Sequence, residues 1–141
     1  MLTEQFGLSE KQPAEAALEY CRKFILNSSL QKMPALHAYG VAGTITSLIA
    51  VDLALQDFQR EIVHQKSISR SKIVSILNRV QSLDLDDRKE IVGLPFNRAD
   101  VFGGGLCIAL AILDYFDCQS LTCMDTGVRF GLLYQMGPTP K

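Results

Sequence analysis

Val41-Ala42-Gly43-Thr44-Ile45-Thr46 joins two apolar runs, Leu36 to Val41 before it and Thr44 to Leu55 after it. The first run carries Tyr39 and Val41 and stops at the glycine pair Gly40 and Gly43, so it predicts a strand, a tight turn and then a helix. A strand that enters a helix through small residues leaves backbone N–H groups unpaired at the positive end of the helix. Gly40 and Gly43 allow close backbone approach, and the hydroxyls of Thr44 and Thr46 cap the helix or donate to an oxygen. The residues alone leave two readings open: a phosphate cradle built on Ala42, Gly43, Thr44 and Thr46, or a plain turn with Thr44 as N-cap.

Outward from this turn the chain reads as alternating helices and short extended runs. Ala14, Ala17, Leu18, Cys21, Phe24 and Ile25 follow helical spacing between Pro13 and Asn27. Asp57 to Ser69 is a polar connection with an extended piece expected around Glu61 to His64. Helices are predicted from Ser69 to Val80 and from Leu83 to Ile91, then Gly93 and Pro95 break the pattern. A longer apolar helix opens at Asn97 or Asp100 and reaches Phe116. Gly103-Gly104-Gly105 lies inside it without a following Lys or Ser/Thr, which points to close helix packing and not to a P-loop. Leu121 to Met124 is a second strand, turned by Asp125-Thr126-Gly127 into a last helix from Val128 to about Gln135. Two strands that each run into a helix predict an α/β fold with a short parallel sheet flanked by helices, over residues 1–136, followed by a flexible tail, 137–141.

Composition excludes several classes. The 141 residues are 48% hydrophobic and 21% charged, with 14 basic against 15 acidic side chains and no long run of either sign. Neither a nucleic-acid footprint nor a membrane-surface patch is present, so phosphate would have to be held locally. The most apolar stretch, Val101 to Leu113, is too short for a membrane span, and the N-terminus lacks a signal-peptide pattern; a cytoplasmic protein is expected. Cys21, Cys107, Cys118 and Cys123 sit in apolar pattern without a Cys-x-x-Cys pair, and His37 and His64 lie far from them, so buried reduced thiols are expected and no metal site.

Val41-Ala42-Gly43-Thr44-Ile45-Thr46-Ser47-Leu48 resembles the glycine loop of the exopolyphosphatase and guanosine pentaphosphate phosphatase family, in the sugar-kinase, heat-shock and actin superfamily. Gly93-Leu94, Arg98-Ala99-Asp100-Val101 and Gly104 or Gly105 are similar to that family's Gly-Leu, Arg-Ala-Asp and downstream Gly series. Asp125 to Leu133 resembles its closing Gly-x-Arg-x-Gly-Leu-Leu segment, and Leu2-Thr3-Glu4-Gln5-Phe6 its Leu-Thr-Glu-x-Phe stretch. His64 stands where members often carry a His-Gly pair, with Gln65 in place of the glycine. The match covers nearly the whole chain and implies part of the second actin-like (ribonuclease H-like) lobe.

The resemblance implies release of terminal phosphate from polyphosphate or guanosine pentaphosphate, with Mg²⁺ in the intact family site. It places an Asp-x-Gly-Gly-Gly-Ser loop and a water-activating glutamate of the first lobe outside these residues, so no catalytic residue is expected here and the chain alone is expected to be inactive. Phosphate or nucleotide contacts fall to Ala42, Gly43, Thr44 and Thr46. Arg98, Asp100 and Arg129 are candidates for support: Asp100 serves equally as a helix cap, and Arg129 as a partner of Asp125 or of a bound anion. The missing lobe or a homo-oligomer is the expected partner. A noncatalytic nucleotide-binding or protein-interaction module is the alternative, and a kinase of the same superfamily is a more distant one.

Overall fold

The computed structural model of the chain describes residues 14–32 and 37–137, and of Val128 and Arg129 only the backbone. The Leu2 to Phe6 stretch, the start of the first strand at Leu36, the tail beyond Gly137 and the Arg129 side chain lie outside the described residues. In chain order the elements are α1 (Glu15–Leu26), β1 (Ala38–Gly40), α2 (Gly43–Asp52), α3 (Arg60–Val63), β2 (Ser67–Ser69) and α4 (Arg70–Ser82). They continue with α5 (Leu85–Lys89), a 3-10 turn (Phe96–Arg98), α6 (Phe102–Tyr115), β3 (Ser120–Cys123) and α7 (Val128–Met136).

The expected parallel pair is present. β1 and β3 run side by side with Ala38 opposite Leu121 and Gly40 opposite Cys123, and the Met124 amide donates to the Gly40 carbonyl to carry the pairing one step further. A third strand was not legible: β2 adds to the far side of β3 antiparallel, with Ile68 opposite Leu121. Its signal is weak because Ile68 is its one apolar residue, set between Ser67 and Ser69. The extended piece expected at Glu61 to His64 is instead the helical turn α3, closed by Ile62 and Val63 amides donating to the Gln59 carbonyl and anchored by the fully buried Val63. β-branched side chains at 62 and 63 favour a strand, and one core contact with a closed turn outweighs that propensity.

The helices begin where short polar side chains can satisfy their first amides. Ser69 Oγ accepts from the Lys72 amide at α4, and Asp84 Oδ1 from the Asp87 amide at α5. α6 is different: Val101 occupies its cap position and no side chain caps it, so Asp100, which is exposed, is not the helix cap. Its buried residues, among them Phe102, Leu106, Cys107, Leu110 and Leu113, form the centre of the core, against which α1 and α4 pack. Burial of each such side chain is worth about 2 kcal/mol. The glycine series of α6 is packing, as expected: a Cβ on Gly103 would fall 2.6 Å from Gln81 Nε2, and one on Gly105 2.5 Å from Thr44 Cγ2.

Asp114 lies near the carbonyl end of α6, where a negative charge opposes the helix dipole. Two arginines answer it. Arg22 of α1 reaches Oδ2 with Nε at 2.9 Å and a terminal nitrogen at 2.6 Å, and Arg70 at the start of α4 reaches Oδ1 at 2.5 Å. Burial alone would raise the Asp114 pKa, but these hydrogen bonds and charges hold it below the usual carboxylate value of 3.8. One carboxylate thus ties three helices together.

Gly93 and Gln65 both carry positive φ, for opposite reasons. Gly93 (φ 87) lies so close to α2 that a Cβ would fall 2.3 Å from the Ala50 carbonyl oxygen. Gln65 (φ 63) is not glycine, yet it makes the left-handed turn between α3 and β2 and its amide donates to the Cys123 carbonyl at 2.7 Å.

Gln65→Gly is expected to stabilise the chain by about 0.5 kcal/mol, the left-handed penalty being partly offset by glycine's unfolded-state entropy. Gly93→Ala should cost about 2 kcal/mol or more, because it adds a backbone clash to the strain; urea denaturation reads both. Asp114→Asn should lower stability by about 2 kcal/mol near neutral pH. The depressed carboxyl contributes fully above its unfolded pKa and loses that contribution as pH falls through the lower folded one. Parent and variant melting curves should therefore converge at acid pH.

Candidate functional site

Because β1 and β3 are parallel neighbours, their carboxyl ends open on the same side, the usual place for a ligand in an open α/β sheet. A cleft of about 490 Å³ lies there, lined by Ala42 and Gly43 after β1, Asp125 after β3, Thr46 and Ser47 of α2, and Gly93 to Pro95 with Arg98 from the loop ahead of α6.

Ala42 makes the turn from β1 into α2 with φ 74 and ψ 177, a backbone region that side-chain-bearing residues almost never occupy. Its carbonyl accepts from the Ile45 and Thr46 amides at 3.1 and 3.2 Å, which starts the helix at once. The Gly43 and Thr44 amides are left without an acceptor among the described residues, at the positive end of a ten-residue helix. No side chain caps α2, so Thr44 is not its N-cap. Thr46, which lines the cleft, donates its hydroxyl back to the Gly43 carbonyl at 3.2 Å.

Arg98 completes this corner. Its guanidinium lies directly on Gly43: a Cβ there would sit 1.4 Å from Nη1, so only glycine admits it. Half-buried Arg98 makes no ion pair among the described residues. The arrangement is a cation and two unpaired amides converging at a helix start, which suits an anion with several oxygens.

The sequence-predicted residues therefore divide. Ala42, Gly43, Thr46 and Arg98 come together in the cleft. The Thr44 amide stays at the helix start, but its side chain packs on Gly105 and faces an apolar groove on the other side. Asp100 is exposed and does not line the cleft. Asp125, the expected partner of Arg129, is held by Arg60 Nε at 3.0 Å, and the Asp125 amide donates to His64 Nδ1 at 3.1 Å. The Arg60 guanidinium also stacks over Phe130, 4.5 Å from the ring centre, and so fixes the start of α7.

Sequence reasoning missed Ser47, Asp125, Gln56 and Phe58, which also line the cleft. Asp125 carried a signal, since it follows β3 as Ala42 follows β1. Phe58 lies in the stretch read as a plain connection.

No group of three His, Cys, Asp or Glu converges for a metal among the described residues. The cleft offers a single carboxylate, Asp125, already committed to Arg60. Mg²⁺ takes a near-octahedral set of oxygens, so the residues present do not fit a resident ion. Cys123, at the end of β3, is fully buried, and burial together with the Asp125 charge pushes its thiol up to about 11. Cys107 is pushed to about 12, chiefly by burial. Neither is a thiolate nucleophile near neutral pH. All four cysteines are buried, as expected, and none is in a disulfide; no helix among the described residues is long and apolar enough to cross a membrane.

Residues 1–139 match the model of the Ppx/GppA phosphatase family. A guanosine-5'-triphosphate,3'-diphosphate pyrophosphatase of Vibrio atlanticus is 35% identical over 97 residues, 69% of this chain and 18% of its own length. Its counterpart in Vibrio vulnificus is 30% identical over 131 residues, 86% of this chain and 24% of its own. A crystal structure of the Aquifex aeolicus family member superposes with a TM-score of 0.84 and 25% identity, covering 96% of this chain and 44% of that one. The chain thus spans about a fifth of the curated relatives and less than half of the solved one. By these matches the chain belongs to the Ppx/GppA phosphatase family, and its fold is that family's actin-like α/β architecture.

Proposed function

We propose that this chain supplies the phosphate-gripping wall of a phosphatase site that releases terminal phosphate from guanosine pentaphosphate or polyphosphate. The observation that carries the reading is the Arg98 guanidinium seated on Gly43, beside the unpaired amides of Gly43 and Thr44. Together these groups offer charge-assisted hydrogen bonds to the oxygens of a bound phosphate and stabilise charge that builds on them during transfer. The strain at Ala42 supports this, since a backbone outlier persists where the surrounding structure holds it for a purpose.

Water attack needs a positioned base, and the one carboxylate of the cleft, Asp125, is paired with Arg60. We assign the base to residues outside this chain, and no step to Mg²⁺, whose ligands would come from the phosphates and from those same residues. The chain by itself then binds but does not hydrolyse.

Between the two substrate classes, the apolar part of the cleft lining favours the nucleotide. Leu55, Phe58 and Pro95 line it, with Phe58 57% exposed, and Gln56 stands beside them with an amide. An inorganic polyphosphate has no use for an apolar, aromatic surface, whereas a purine stacks on one. The guanosine pyrophosphatase names of the Vibrio relatives agree with this choice. Four buried thiols outside any disulfide suit the reducing cytoplasm, where we place the protein.

Titration of the chain with guanosine pentaphosphate and with tripolyphosphate tests the reading. Arg98→Ala should weaken both about tenfold or more, through loss of charge-assisted bonds. Gly43→Ala should do the same by pushing Arg98 aside, while Phe58→Ala should weaken only the nucleotide. Binding indifferent to Arg98→Ala would overturn the proposal, and phosphate release by the chain alone would overturn its assignment of the base.

A further inference from the structure

Met124 carries the pairing of β3 with β1 to its end, its amide donating to the Gly40 carbonyl. Alternate amides of a strand point to opposite sides, so those of Cys123 and Asp125 face the corner between α3 and β2. There the Cys123 amide donates to the Lys66 carbonyl, and the Gln65 amide returns a bond to the Cys123 carbonyl at 2.7 Å. The Asp125 amide is the next to face that corner, and its acceptor is a side chain: His64 Nδ1, at 3.1 Å. A backbone N–H can only donate, so Nδ1 is the acceptor and the ring is neutral with its proton on Nε2.

The ring is held firmly from its own side. His64 closes α3, where its amide donates to the Arg60 carbonyl at 2.8 Å, and its neighbour Val63 is fully buried. The same helical turn begins with Arg60, whose Nε reaches the Asp125 carboxylate at 3.0 Å. One short element therefore grips Asp125 by its backbone and by its side chain.

What this grip prevents follows from the cleft. Asp125 and Arg98 line it together, a carboxylate and a cation, yet they form no ion pair among the described residues. Arg60 competes for the carboxylate, but its side chain is 42% exposed and that of Asp125 27%, so solvent screens the pair and it is a weak anchor for a loop. The backbone bond to His64 supplies the fixed point that such a pair lacks.

We propose that His64 is a positioning residue of the anion corner: its neutral Nδ1 holds the Asp125 turn, so that the carboxylate stays with Arg60 and Arg98 is left to the phosphate. Once that bond is lost, the Asp125 carboxylate turns to Arg98 and competes with the ligand for it. His64 then acts on the phosphate only through Asp125, and the inference rests on the phosphate reading of the cleft.

Nitrogen NMR of the full 141-residue chain and its titration with tripolyphosphate test this. The His64 ring should show a proton on Nε2 and none on Nδ1; His37 is the other histidine, so the spectrum of His64→Leu assigns the signals. His64→Leu, which removes the acceptor, should weaken tripolyphosphate about threefold to tenfold. His64→Asn, whose carbonyl oxygen can stand where Nδ1 does, should bind within about twofold of the parent. In an Asp125→Asn background His64→Leu should have no further effect, because the competing charge is gone. A neutral ring protonated on Nδ1 would overturn the inference whatever the cleft binds. Binding that falls with Arg98→Ala but ignores His64→Leu would overturn it and leave the phosphate reading standing. A His64→Leu loss of equal size with Asn at 125 would also overturn it, by showing a general structural role. Binding indifferent to Arg98→Ala would overturn both.

Discussion

The geometry of the site depends on the contact between Gly105 and Thr44. A side chain at 105 would overlap the Thr44 methyl and hydroxyl groups, so α6 can lie against the entrance of α2 only because one of its residues has none. Arg98 stands four residues before α6 begins, and its reach onto Gly43 follows from where that helix is held. Thr44 therefore acts as a spacer between two helices, while its neighbour Gly43 receives the cation.

The arginine–carboxylate pairs do different work according to where they sit. Asp114 collects Arg22 and Arg70, fastening α1 and α4 to the end of α6. Arg60 holds Asp125 at the mouth of the cleft and thereby removes the one acidic side chain that would repel a phosphate. Arg88, fully buried, turns inward instead and donates to the Val80 and Leu83 carbonyls, so it caps the end of α4. Arg98 alone among these five arginines lines the cleft.

Much of the fold was legible because its signals are periodic and local. The helical spacing of Ile73, Ile76, Leu77 and Val80, and the glycine turn after Tyr39, survive in any context that buries them. The glycine loop and the Arg-Ala-Asp segment led to the family. Three things were not readable. β2 is too short and too serine-rich to show a period, and it forms because β3 offers it an edge. α3 looks extended in composition and is bent by its contact through Val63. The direction of the Thr44 side chain and the loss of Asp100 as a cap depend on Gly105 and Val101, which are distant or featureless in sequence.

Gly93 leads to one further point. Its backbone lies against the Ala50 carbonyl with no room for a methyl group, so the loop that carries Arg98 is welded to the helix that carries Gly43. The two jaws of the anion corner are therefore packed on each other through their backbones, and the grip is preset before a ligand arrives.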